Sequence, residues 1–255
     1  MRFSKILLDF SNSLVTAIIV LALCIVGAYS GYALWDNNRV YSAVDDIQAD
    51  LIKIKPSVNP DDDNSPGFEQ LLAINPDVCA WLTLDNTNID YPVLQGKNNL
   101  SYINTDVYGN FALSGSIFLD TRNASDFSDS FSLIYGHHMD KNKMFGDMDL
   151  YLEKSFFEEN RTGVLILPDK TYKIEIIVCL EVPSSEPMIF EPLQSSNNIF
   201  DLLDFTEQNA LYTHSDTLQK AREEDSPHIL ALSTCSSEFT DARTVIITLM
   251  EPYLQ

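Results

Sequence analysis

The chain has 255 residues, 45% of them hydrophobic, and carries 16 Lys and Arg against 37 Asp and Glu, a formal net charge of −21. That length holds one large domain plus an attachment element. The charge argues against a nucleic-acid partner, because duplex binding depends on Lys and Arg neutralising phosphates; a well-solvated acidic surface is its ordinary reading.

The first predicted element is apolar. Leu14 to Leu34, LVTAIIVLALCIVGAYSGYAL, is 21 residues without a charge, and none falls between Asp9 and Asp36. As a helix it spans roughly 32 Å, against a bilayer core of roughly 30 Å. Arg2 and Lys5 precede it, whereas Asp36, Asp45 and Asp46 follow with only Arg39 among them. The positive-inside bias therefore predicts a cytoplasmic N-terminus and an extracellular remainder. A cleaved signal peptide is the second reading, since Ala28 to Ser30 loosely fits a small-x-small site. The retained anchor is preferred because the run exceeds a signal core of about 7 to 15 residues. Both readings export the domain. The organisation expected is 1–13 cytoplasmic, 14–35 transmembrane, 36–66 helical stem and linker, and 67–255 extracellular domain.

Val40, Val44, Ile47 and Leu51 fall at helical spacing, so Asp36 to about Lys55 is predicted as a helix leading out of the membrane. Lys55 to Gly67 is a Pro/Asp/Asn/Ser connector, followed by a short helix at Phe68 to Ile74. Strands are predicted at Cys79–Leu84, Ile89–Leu94, Gly115–Asp120, Phe131–Gly136, Gly163–Leu167, Thr171–Val182, His228–Thr234 and Ala242–Met250. Eight short strands predict a mainly β fold, a closed or nearly closed barrel with helical inserts. The inserts are Lys143–Asn160, with Met144, Met148, Leu152 and Phe156 on one stripe, and Asn198–Leu211, with Phe200, Leu203 and Phe205; both read as packing helices. No internal repeat or Gly-rich phosphate loop is present. His137 and His138 are adjacent without any CxxC, so no zinc site and no cofactor are expected.

Of four cysteines, Cys24 lies in the apolar segment, and Cys79 and Cys179 sit inside strand-like runs as small buried hydrophobes. Cys235 differs, because Ser233, Thr234, Ser236 and Ser237 surround it. Alternation puts Ile229, Ala231, Ser233 and Cys235 on one face of their strand. Ser236 to Asp241 then suits an antiparallel hairpin that returns Arg243 towards Cys235. Alone, Arg243 reads as a surface ion-pairing residue, with Glu238 or Asp241 as partner. A nucleophilic thiol needs a base, since at a pKa near 8.5 only a few per cent is thiolate. His228 lies at the opposite end of its strand from Cys235, and His214 in a polar stretch after a predicted helix. The best placed is His137 in SLIYGHHM, where the strand runs into Gly136 and the chain turns; alternation puts Tyr135 and His137 on one side and His138 on the other.

LSTC with Arg243 eight residues after the cysteine, and YGHHM about a hundred residues upstream, resembles the sortases, cysteine transpeptidases of Gram-positive surfaces. The resemblance continues through YPVLQGKNNLSYI, GSIFLD and MFGDM and covers roughly Phe68 to Tyr253; the long insert Pro183–Ser226 resembles class B. It implies an eight-stranded sortase-type barrel with a helix in the insert between the last barrel strands. It also implies Cys235 as nucleophile, His137 as acid/base and Arg243 as the cation at the scissile carbonyl, with Asn99, Ile103, Tyr135, Ser233 and Thr234 as substrate contacts. The implied reaction cleaves an NPxTx-like C-terminal sorting motif after Thr and transfers the protein to an amine of a peptidoglycan precursor or a pilin. Ala231 departs from the usual TLxTC, and packing is where its effect is expected. The alternatives are a peptidase that releases the substrate by hydrolysis and a non-catalytic exported binding domain.

Overall fold

The computed structural model of the chain describes residues 2–58, 67–235 and 242–253, and the side chains of residues 2–4 and 235 lie outside that description. The chain forms two units, Met1–Ala43 and Val44–Gln255. The first is most of one helix, α1 (Arg2–Ile52), long and apolar enough to cross a membrane, with a mean hydropathy of 2.3 over its most apolar window. The expected helical stem is thus continuous with the apolar segment. Its last turns belong to the second unit, where Val44 and Leu51 are buried.

In the second unit α2 (Phe68–Ile74) leads into β1 (Val78–Leu84), β2 (Asp90–Leu94), β3 (Ile117–Leu119) and β4 (Phe131–Met139). There follow β5 (Lys143–Met144), a 3-10 helix (Gly146–Leu152), α3 (Lys154–Glu159), β6 (Thr162–Ile166) and β7 (Thr171–Pro183). The insert holds α4 (Pro187–Phe190), α5 (Pro192–Asn197), α6 (Ile199–Asn209), β8 (Ala210–Thr213) and α7 (Ser215–Glu223), before β9 (His228–Cys235) and β10 (Ala242–Pro252). Eight strands close in the order β10-β9-β4-β3-β2-β1-β6-β7, with β7 pairing back onto β10. These are the eight strands expected from the sequence. The β2–β3 and β4–β9 pairs are parallel, and β5 and β8 attach at the edges of β4 and β7.

Alternation sorts the core into layers. All eight barrel strands send residues into one interior cluster, among them Leu82, Val93, Ile117, Ile134, Leu165, Ile174, Leu230 and Ile246. The outward residues Leu133, Ile229, Ala231 and Ile247 pack with Ile189, Leu202, Leu203 and Leu218 of the insert. Ala231 is fully buried in that outer layer, which suits a packing role.

Two local expectations are corrected. β4 does not stop at Gly136 but runs to Met139. The glycine stands there because a Cβ would collide with Ile117 Cδ1 and with the Phe145 ring, 2.7 Å away. Gly136→Ala should therefore cost about 1–3 kcal/mol through overpacking, read as a lower urea midpoint with unchanged m. Lys143–Asn160 is not one helix. Left-handed Lys141, Asn142 and Met144 fold β5 back onto β4, and Gly146 packs where a Cβ would strike the Met139 carbonyl. Helical structure starts only after that turn.

Candidate active site

The parallel pairing of β4 with β9 runs Tyr135 opposite Ser233, Gly136 opposite Thr234 and His137 opposite Cys235. Neighbouring strands lie about 4.8 Å apart, and residues paired in a parallel register share a face, so the fold sets residue 235 beside residue 137. The Cys235 side chain and residues 236–241, with Glu238 and Asp241 among them, lie outside the described residues. β10 runs antiparallel to β9, as the hairpin reading required. Near its start Arg243 is half-buried, and its Nη1 donates to the Thr234 carbonyl at 3.5 Å. Thr234 is held in turn, its Oγ1 accepting from the Thr244 N–H at 3.3 Å.

His137 Nε2 lies 2.7 Å from the Ile103 carbonyl oxygen. A carbonyl only accepts, so Nε2 carries a proton and Nδ1 is the ring nitrogen left for proton transfer. The other histidines are engaged elsewhere. His138 faces the opposite way and pairs with Asp149 at 2.7 Å. His214 stacks on Phe157 at 4.1 Å, and burial pushes its pKa down. His228 Nδ1 meets the Asp129 carbonyl at 3.0 Å, at the far end of β9. Cys79 and Cys179 are free thiols, and burial pushes both up to about 12, which suppresses thiolate. Among the described residues no group of three His, Cys, Asp or Glu is placed to hold a metal.

A cleft of about 220 Å³ opens beside these strand ends, lined by Tyr135, Ser184, Phe190, Thr234 and Arg243. Tyr135 packs between Phe118 at 5.3 Å and Phe190 at 6.5 Å. Of the expected substrate contacts, Tyr135 and Thr234 line the cleft, and Ile103 reaches the site through its carbonyl. Asn99 is engaged with neighbours: its Oδ1 accepts from the Thr121 N–H and its Nδ2 donates to Asp120 Oδ2, both at 2.8 Å. Ser233 is fully buried, with its hydroxyl donating to the Thr234 carbonyl.

Nothing in the residue pattern around GSIFLD assigns a role to Asp120, to Arg122 two residues on, or to Phe190. Asp120 is fully buried, which raises a carboxyl pKa, yet hydrogen bonds from Arg122 and Asn99 hold it below the ordinary range. The one signal was a charged residue closing an apolar strand with an arginine close behind.

No family model matches the chain. A protein named Sortase B from Listeria monocytogenes is 29% identical over 230 residues, 90% of this chain and 92% of that protein. A Streptococcus pyogenes class B sortase involved in pilus biogenesis is 39% identical, with a TM-score of 0.65 covering 72% of this chain and 97% of that structure. A Staphylococcus aureus sortase B–substrate complex is 25% identical, with a TM-score of 0.66 covering 86% and 97%.

Proposed function

The chain belongs to the sortase family and is most like its class B, and from that membership we propose a membrane-anchored enzyme that cleaves an NPxTx-like sorting motif after Thr through a Cys235 thioester. As a sortase it is a cysteine transpeptidase acting on sorting-signal substrates. The apolar α1 supports a single-pass anchor, and Arg2 and Lys5 before it, with Asp36, Asp45 and Asp46 after it, favour a catalytic unit outside. The S. pyogenes relative involved in pilus biogenesis favours a pilin amine as acceptor, with a peptidoglycan precursor amine as the second choice.

The observation that carries the roles is the parallel register joining residues 137 and 235. The Cys235 thiolate attacks the threonyl carbonyl, and the C=O electrons move onto oxygen. Arg243, always protonated, donates to that oxyanion. On collapse the C–N bond breaks, and His137 Nδ1 gives its proton to the leaving amine. The acceptor amine then attacks the thioester, His137 takes its proton, and Cys235 leaves as thiolate. Tethering of His137 Nε2 to the Ile103 carbonyl keeps Nδ1 as the shuttle through both half-reactions.

The test is mass spectrometry of the full-length chain in detergent with NPxTx and LPxTG peptides, with and without a pilin-derived lysine peptide or a cross-bridge amine. An adduct of the peptide up to Thr on Cys235, resolved into an amide by the amine, is expected; release by water alone would favour a peptidase. Arg243→Lys should lower kcat by about 10²-fold with little change in KM, because one ammonium cannot reproduce the planar fork at the oxyanion. A comparable rise in KM with kcat unchanged would move Arg243 from the reacting oxygen to ground-state binding.

A further inference from the structure

Three chain segments converge on Asp120, just after β3. Its Oδ1 accepts from the Arg122 backbone N–H and from Arg122 Nε, both at 2.9 Å. Its Oδ2 accepts from Arg122 Nη2 and Asn99 Nδ2, both at 2.8 Å, and from the Tyr135 hydroxyl at 3.1 Å. Arg122 spends its other donors on the insert: Nη2 on the Phe190 carbonyl at 2.7 Å and Nη1 on Glu191 Oε2 at 2.6 Å. Phe190 ends α4, and its ring stacks on Tyr135 in the cleft with planes 12° apart. A single guanidinium therefore bridges a buried barrel carboxylate and the wall that the insert contributes to the cleft. Planar, multiply bonded guanidinium contacts fix orientation as well as distance. The rest of the insert is held by its apolar layer, so the fold does not hang on this bridge.

We propose that Asp120 and Arg122 act as a positioning pair that sets the insert wall of the cleft and hence the grip on the sorting peptide, without touching the reacting atoms. This rests on assigning the cleft to that peptide. Arg122 is the partner to change, because it is partly exposed, whereas stripping Asp120 would leave a buried charge uncompensated. Arg161 is the control: it ties the barrel to α7 through Asp216 and Thr217, away from the cleft residues.

In the full-length chain Arg122→Gln should raise KM for the peptide that acylates the wild type by about tenfold, with kcat within about threefold. The rate of Cys235 alkylation by iodoacetamide should not change, and Arg161→Gln should move neither constant. Independently of turnover, hydrogen exchange at the Phe190 and Glu191 amides, bonded to the Glu186 and Pro187 carbonyls, should quicken in Arg122→Gln only. An unchanged KM, a rise matched by Arg161→Gln, or unchanged exchange overturns the proposal. So does a parallel fall of kcat and alkylation, which would mark a general structural role. A wild-type chain that no peptide acylates would sink the assignment of the sorting motif, while the exchange comparison would still judge the clamp.

Discussion

Cys235→Ala is expected to remove the acyl adduct and lower peptide turnover by about 10⁴-fold or more, the scale on which covalent nucleophiles fail when deleted. Cys79→Ala and Cys179→Ala should still form the adduct. The contrast is physical: both of those thiols sit in the barrel interior with pKa values near 12, so neither offers thiolate at neutral pH. Cys235 ends β9 at the edge of the barrel, in register with a histidine. Intact-mass analysis of the three variants after incubation with peptide decides the matter; an adduct that survives in Cys235→Ala would refute the assignment.

His137→Ala should cost roughly 10²- to 10⁴-fold in kcat, while His138→Ala changes little. With reference pKa values of about 8.5 for Cys and 6.5 for His, the thiolate–imidazolium pair starts roughly a hundredfold less populated than the neutral pair, a gap of about 2.7 kcal/mol. On the proposed roles, a close ion pair and a neighbouring guanidinium are what would close part of that gap. On the same roles, removing His137 takes the partner from the thiolate and the proton donor from the leaving amine. His138 makes only a surface pair with Asp149, worth about 0–1 kcal/mol. Single-turnover acylation rates across pH check this: wild type should give a bell, and His137→Ala should lose the limb set by the acid. Comparable losses at both histidines would contradict the one-sided arrangement.

The barrel was legible because period-two apolar runs bounded by turn residues mark strands wherever one face is buried. All eight predicted barrel strands are present, with ends shifted by a few residues. Lys143–Asn160 misled because its Met144, Met148, Leu152 and Phe156 stripe has helical spacing. A backbone collision at Gly146 and three left-handed residues before it override that period, and neither leaves a mark in hydropathy. β8 and α7 went unseen for a related reason. ALYT is short and mostly half-exposed, and SDTLQKARE is polar on most of its surface.

The catalytic candidates were readable in kind and only half readable in place. A hairpin brings Arg243 back towards Cys235 from spacing alone, since both flank one short loop. Residue 137 is roughly a hundred positions away, and its strand meets β9 in parallel, a pairing that no local pattern encodes. Alternation separated the two adjacent histidines onto opposite sides of β4, because side-chain direction along a strand is a local property. The Asp120 hub was beyond reach: its donors come from the β2–β3 loop, β4 and its own neighbour, while Arg122 reaches on into the insert. Sequence thus carried the residue types, the strand periodicity and the apolar N-terminal helix, all set by short-range covalent geometry and side-chain polarity. The folded chain alone decided which distant strands pair, why Gly136 must lack a side chain, and which buried carboxylate organises the cleft, since each depends on atoms that meet only after the barrel closes.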